Sequence, residues 1–162
     1  MTLDEIKMEI KSEKYDFLRT DKRFDDMLLL VISGSHSYGT NTPKSDIDIR
    51  GIAFNTKEDI LLMKDFKVYK DPNTDTTIYS FNRAIEMLIN GSPSVLEIFG
   101  VRNGEVIKGN FEISSYMARN IEMFLSKNKL RDVALNMIKN ARKILSVEYH
   151  DRLAKEQLHS VR

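Results

Sequence analysis

The chain has 162 residues, 41% hydrophobic and 30% charged, with 25 Lys and Arg against 24 Asp and Glu for a formal net charge of +1 at pH 7. This is an ordinary soluble composition of one-domain length, and it excludes a collagenous or wholly disordered chain. Without cysteine there is no disulfide, zinc–thiolate site, iron–sulfur cluster or cysteine nucleophile, so an intracellular protein is expected. The start, MTLDEIKMEIK, has no apolar stretch of signal-peptide length, and no run approaches the ~20 apolar residues of a membrane helix. A cytoplasmic location and no membrane partner are therefore expected. Charge is uneven: residues 1–26 and 27–126 each sum to −2, whereas 127–162 sum to +5. That excess is a modest field, read first as a solvated helix face.

Leu3, Ile6, Ile10, Phe17 and Leu18 recur near helical spacing, which predicts an amphipathic helix ending about Thr20. Met27 to Ile32 is a wholly apolar run closed by Ser33-Gly34-Ser35, the pattern of a strand buried on both faces. Ser35 to Ser45 reads as a loop and DIDIRGIAF as a second strand. A short helix over Lys57–Met63, a strand over Phe66–Tyr69, a turn at Asp71-Pro72-Asn73 and a strand over Asp75–Tyr79 follow. From Ser80, a helix N-cap, the period is helical through Ile89 and stops at Asn90-Gly91. Ser94 and Glu97 match a capping box for a second short helix. Val101–Lys108 reads as a turn at Asn103-Gly104 with a short strand. Helical pattern resumes over Phe111–Leu125 and again in the stripe Leu130, Val133, Ala134, Met137, Ile138, Ala141, Ile144, Leu145. Strands cluster early and helices late, an α+β layout with a helical C-terminal part.

The chemistry lies in Leu28–Phe54. In DIDIR the strand period of two puts Asp46, Asp48 and Arg50 on one face and Ile47 and Ile49 on the other. Carboxylates two apart on a strand face sit ~7 Å apart and repel unless a cation joins them. Hard oxygen ligands of this kind suit Mg²⁺ or Mn²⁺. The competing reading is the exposed face of an amphipathic strand. Gly34-Ser35, at the end of a buried strand, offers backbone N–H groups and a hydroxyl to a phosphate; the competing reading is a turn glycine. The spacing Gly34-x4-Gly39 imitates a P-loop, but Thr40-Asn41 stand where Lys-Ser/Thr is required, so that motif is excluded. His36 and Tyr38 read as loop residues or base contacts, and Glu97 as a helix cap.

An apolar strand, Gly-Ser, about a dozen residues and then Asp-x-Asp in a second strand resembles the signature of the polymerase-β-like nucleotidyltransferase superfamily. GSHSYGTNTPKSDIDIRG and NGSPSVLEIFG are most similar to bacterial and phage predicted nucleotidyltransferases. The resemblance covers about residues 28–100. It implies a small mixed β-sheet flanked by helices, with a nucleotidyltransferase core over 1–110 and a helical part over 111–162 packed on it. Gly34 and Ser35 would hold the triphosphate of a nucleoside triphosphate, and Asp46 and Asp48 two divalent ions, Mg²⁺ or Mn²⁺. Such families use a third carboxylate on a neighbouring strand; Asp75 is chosen for catalysis and metal binding, with Asp71 and Asp65 as competitors. Lys44 and Arg50 are placed to offset phosphate charge or to pair with the aspartates. The implied reaction moves a nucleoside monophosphate to an acceptor hydroxyl and releases pyrophosphate. The acceptor stays open among RNA, a small molecule and a protein. The alternatives are a catalytically weak nucleotide-binding regulator and an antitoxin-like interaction module.

Overall fold

The apolar run forms β1 (Met27–Ser33), buried along its whole length. Such a strand has to be apolar throughout because both faces of its sheet are covered. β1 pairs antiparallel with β2 (Asp48–Ala53) on one side and with β5 (Val106–Gly109) on the other. β2 runs parallel to β4 (Thr76–Ser80), and β4 pairs antiparallel with β3 (Val68–Asp71). The resulting five-stranded mixed sheet has the order β3-β4-β2-β1-β5. This computed structural model describes residues 1–140 and 142–143.

Alternation along the strands divides the core in two. Leu30, Ile32, Ile49 and Ile78 pack against Ile6, Ile10, Tyr15, Leu18 and Phe24 from the N-terminal segment. That segment is not the single helix its spacing predicts. α1 (Leu3–Glu9) starts on a capping box, in which Thr2 Oγ1 accepts from Glu5 N and Glu5 Oε2 accepts from Thr2 N. It ends at Ile10 because the Arg19 guanidinium, brought back by α2 (Phe17–Thr20), donates to the carbonyls of Ile10, Lys11 and Ser12 at 3.0, 3.1 and 3.0 Å. Those carbonyls therefore have acceptable partners without further helix. Two 3₁₀ turns, Glu13–Tyr15 and Lys22–Phe24, complete the layer.

On the other face Leu29, Val31, Ile52 and Tyr79 meet Ala84 and Leu88 of α5 (Phe81–Ile89), Val95 and Ile98 of α6 (Pro93–Gly100) and Met117 of α7 (Phe111–Arg119). Upstream of these, α3 (Gly34–Tyr38) follows β1 and α4 (Lys57–Leu61) follows β2. Ser80 caps α5 by accepting from Arg83 N at 3.3 Å. The capping box expected of Ser94 and Glu97 does not form: the helix starts two residues earlier, with Pro93 in its first turn and Ser92 at the cap. Proline's fixed φ and missing N–H suit that position. The helix expected over 111–125 breaks after Arg119, where Asn120 turns its amide back onto the Tyr116 carbonyl at 2.8 Å, and a 3₁₀ turn covers Ile121–Phe124.

Met117 packs α7 against the sheet, within a compact unit that runs from Met1 to Leu125; a second unit begins at Ser126. In that second unit residues 127–140 are helical. Ala141, Ile144 and Leu145 of the expected apolar stripe lie outside the described residues. The fold is α+β, a mixed open sheet flanked by helices with a helical C-terminal part, as expected of the nucleotidyltransferase fold. Among the described residues no helix is long and apolar enough to cross a membrane.

Candidate active site

The segment after β1 is the clearest departure from expectation. Ser35 to Ser45 reads as loop, yet Gly34–Tyr38 is a helical turn, bounded on both sides by left-handed glycines, Gly34 at φ +62° and Gly39 at φ +69°. Its polar residues do not oppose a single turn when glycine supplies the sharp entry and exit. Gly34 is required for a second reason. A Cβ there would overlap the Asp48 carboxylate, so the backbone of Gly34 lies flush against that side chain. The neighbourhood follows from the β1–β2 register, which sets Ser33 opposite Asp48.

Parallel pairing of β2 with β4 delivers the next carboxylate. Ile49 is in register with Thr76, and Ile49 N donates to the Asp75 carbonyl at 3.3 Å, so Asp75 stands beside Asp48 at the head of the parallel pair. Burial, the adjacent Asp75 carboxyl and the charge of Asp46 together hold the Asp48 carboxyl above the usual carboxylate range, against the opposing pull of Arg50. Asp75 itself takes a left-handed backbone at φ +44°, a conformation costing about 1–3 kcal/mol in a non-glycine residue. The turn before it is fixed by Thr74 Oγ1, which donates to Asp71 Oδ2 at 2.6 Å and lies 2.8 Å from Thr76 Oγ1. The Asp71 carboxylate is thus engaged in its own turn, and Asp65 sits in the exposed segment ahead of β3.

Asp46 is exposed on the loop that enters β2, where Thr42 N donates to Ser45 Oγ at 2.8 Å and steadies the approach. Arg50 lies two residues beyond Asp48 on the same strand face; its charge reaches both Asp48 and Tyr38. Its Nε is buried without a hydrogen-bond partner. Lys44 is exposed on the loop, and among the described residues neither it nor Arg50 forms a salt bridge. Ser35 is half-buried in α3.

Three further residues hold this region together and are not singled out by sequence in those roles. Tyr38 faces Glu97 of α6 across a shared cavity, and that carboxylate pushes the phenol up to about 12. Glu97 therefore looks toward α3 instead of capping its own helix. Glu105, 3% exposed, accepts from Ser37 Oγ at 3.1 Å and from Arg102 N at 2.8 Å, which anchors α3 to the start of β5. His36 is buried within α3, and its Nε2 has no hydrogen-bond partner. The signal for these roles is weak in sequence, since Tyr38 and Glu97, like Ser37 and Glu105, lie far apart in the chain.

As placed, no three His, Asp or Glu side chains among the described residues form a group ready to hold a metal ion. The donor set nevertheless fits a hard divalent cation. Asp48 and Asp75 are acidic groups held together by the fold, and their proximity raises the Asp48 carboxyl above its ordinary range. A glycine backbone pressed on a carboxylate, Asp-x-Asp entering one strand and a further Asp heading its parallel neighbour lie where the resemblance to polymerase-β-like nucleotidyltransferases expects them. Comparison with protein families gives the particular lineage: the chain belongs to RlaP, the RNA repair pathway DNA polymerase beta family, whose model matches residues 4–162. No curated protein and no solved structure matches the chain.

Proposed function

We propose that the protein moves a nucleoside monophosphate from a nucleoside triphosphate to an acceptor hydroxyl and releases pyrophosphate. The observation that carries this reading is the parallel β2–β4 register that sets Asp75 beside Asp48, with the Gly34 backbone flush against Asp48. Asp46, Asp48 and Asp75 are the residues that would hold Mg²⁺ or Mn²⁺. When bound, such ions neutralise phosphate charge and favour the ionised acceptor oxygen. Gly34 and Ser35 offer N–H and hydroxyl donors to the triphosphate, with Arg50 and Lys44 adding positive charge. Asp75 accepts the acceptor's proton as its oxygen bonds to the α-phosphorus and the bond to pyrophosphate breaks. The family's RNA repair description makes an RNA end the first acceptor to test.

The experiment is incubation of the full chain with each α-labelled nucleoside triphosphate and Mg²⁺ or Mn²⁺, with RNA, cell extract protein and small molecules as acceptors. Label transfer with equimolar pyrophosphate is expected. Triphosphate binding without transfer to any acceptor would make the chain a nucleotide-binding regulator, and absence of both would leave an interaction module.

A further inference from the structure

β3 lies at one end of the strand order, and among the described residues no strand covers its outer side. Its pairing with β4 sets Tyr69 opposite Ile78, and the Lys67 carbonyl accepts from Ser80 N at 3.0 Å. Along an antiparallel ladder such inward-bonding positions alternate with outward ones, so the N–H and C=O groups of Val68 and Lys70 point away from the sheet. Just before this edge α4 buries no residue, and Ile60, Leu61, Leu62 and Met63 follow one another at 54%, 81%, 55% and 90% exposure. Asp59 of α4 acts electrostatically on Arg23, whose guanidinium lies 5.1 Å from the Tyr69 ring centroid, so the helix stands at the β3 edge. We propose that β3 and the Ile60–Met63 run form the interface of a homodimer, in which a second copy of this chain pairs its own β3 antiparallel about Tyr69.

Charge complementarity selects both the occupant and the register. A two-fold axis at Tyr69 puts Val68 opposite Lys70 of the second copy and Lys67 opposite its Asp71, and each pair occurs twice. The Val68–Lys70 pairs exchange the outward backbone hydrogen bonds, with the lysine stem lying along the valine and its ammonium in solvent. The Lys67–Asp71 pairs set opposite charges on facing strands. Thr74 bonds Asp71 through Oδ2, and a carboxylate has a second oxygen to offer the lysine. Sliding the copies by two residues brings Lys70 against Lys70 in one direction and Asp65 against Asp71 in the other, like charges that oppose pairing. A slip of one residue sets outward groups against inward ones and loses the bonds. Lysines on an edge strand ordinarily discourage pairing; here the strand's own aspartate answers them in a second copy. The helix end adds the apolar part. Met63 N donates to the Ile60 carbonyl at 3.2 Å and Lys64 N to the Asp59 carbonyl at 2.8 Å, a Schellman motif that holds Met63 at φ +55°, where glycine is usual. A backbone position that disfavours a side chain thus displays a large apolar one. Four consecutive exposed apolar residues are a liability in a lone protomer and mark a surface that is covered.

The test is sedimentation velocity of the full chain over a wide concentration range, without nucleotide or metal. Wild type is expected to pass from the protomer mass to twice that mass. Amide exchange at Val68 and Lys70 should slow as concentration rises, and Tyr69, whose N–H already faces β4, should change less. Val68→Pro removes an outward N–H that the chain's own ladder does not use, so the variant should fold and stay monomeric. Lys67→Asp sets like charges against Asp71 of the second copy at both ends of the pairing. It should weaken association about tenfold or more at low salt, with the deficit shrinking as salt rises, and it serves if Val68→Pro fails to fold. Met63→Gly relieves the positive φ; it should melt above wild type at dilutions where both are protomers, yet associate more weakly. A wild-type chain that stays monomeric at every concentration overturns the proposal, as does wild-type association by any of these variants when folded. A dimer whose Val68 and Lys70 amides exchange at the protomer's rate overturns it as well, because its interface lies elsewhere.

Discussion

Asp48 carries opposite demands at the residue scale: the proposed reaction would use it ionised with a cation, while its surroundings in the metal-free fold raise its pKa. Because its folded value lies above the ordinary one, the folded state retains a proton that the unfolded chain releases. Stability of the metal-free protein therefore falls as pH rises from the ordinary carboxylate value through the raised one. Asp48→Asn removes that loss and lets an amide donate to Asp75. The variant should melt above wild type at neutral pH without divalent ions, with the gap closing in acid, and its transfer rate should fall more than about 100-fold. Thermal melting across pH beside label transfer checks both; a lower neutral melting temperature would make the carboxylate a structural residue. Gly34→Val adds a branched side chain where φ is +62° and where Asp48 already stands. Calorimetry should show loss of triphosphate binding together with a drop in stability of about 1–3 kcal/mol, and a folded variant with wild-type affinity would exclude contact between phosphate and this backbone.

The five-residue helix α3 owes its position to partners distant in sequence. Ser37 and Glu105 are 68 residues apart, and the bond between them is what fixes the helix against the β5 edge. Glu105→Ala leaves the Ser37 hydroxyl and the Arg102 N–H without their acceptor, a cost of about 1–3 kcal/mol. Urea unfolding should register that loss, Glu105→Gln should recover part of it through its remaining carbonyl oxygen, and equal stability of all three proteins would remove Glu105 from the account. The same distances explain what is legible in the sequence. DIDIR reveals its alternating faces, and MLLLVI its double burial, because both signals lie within one strand. Gly34-Ser35 is readable as a turn at a strand end. The conversion of the following loop into α3, the exchange of Glu97 from cap to Tyr38 partner and the burial of Glu105 depend on which strands become neighbours. Likewise, what sets Asp75 rather than Asp71 beside Asp48 is the parallel β2–β4 register, with Thr74 engaging Asp71 in its own turn, and neither has a local pattern.

For the molecule as a whole, the sheet unit and the segment after it differ in charge as well as in architecture. Residues 1–126 sum to −4, and 127–162 to +5, so a polyanion is repelled in general by the first and attracted by the second. Over 127–140 the helix leaves Met137 and Ile138 exposed by 56% and 50%, and Lys129 and Lys139 are exposed as well. Triphosphate binding is assigned to Gly34, Ser35, Arg50 and Lys44, all in the first unit, so the two electrostatic functions can be separated by mutation. The double reversal Lys129→Glu with Lys139→Glu lowers the segment from +5 to +1. If this segment contributes phosphate contacts to an RNA acceptor, wild-type affinity should fall steeply with salt, because each contact releases counterions. The double variant should then bind RNA more weakly and show a slope of log affinity against log salt smaller by roughly one unit, with triphosphate affinity unchanged. Anisotropy titrations of one oligoribonucleotide at several salt concentrations measure that slope directly. An unchanged slope would assign the basic helix to solvent and leave recognition of any acceptor to the sheet unit.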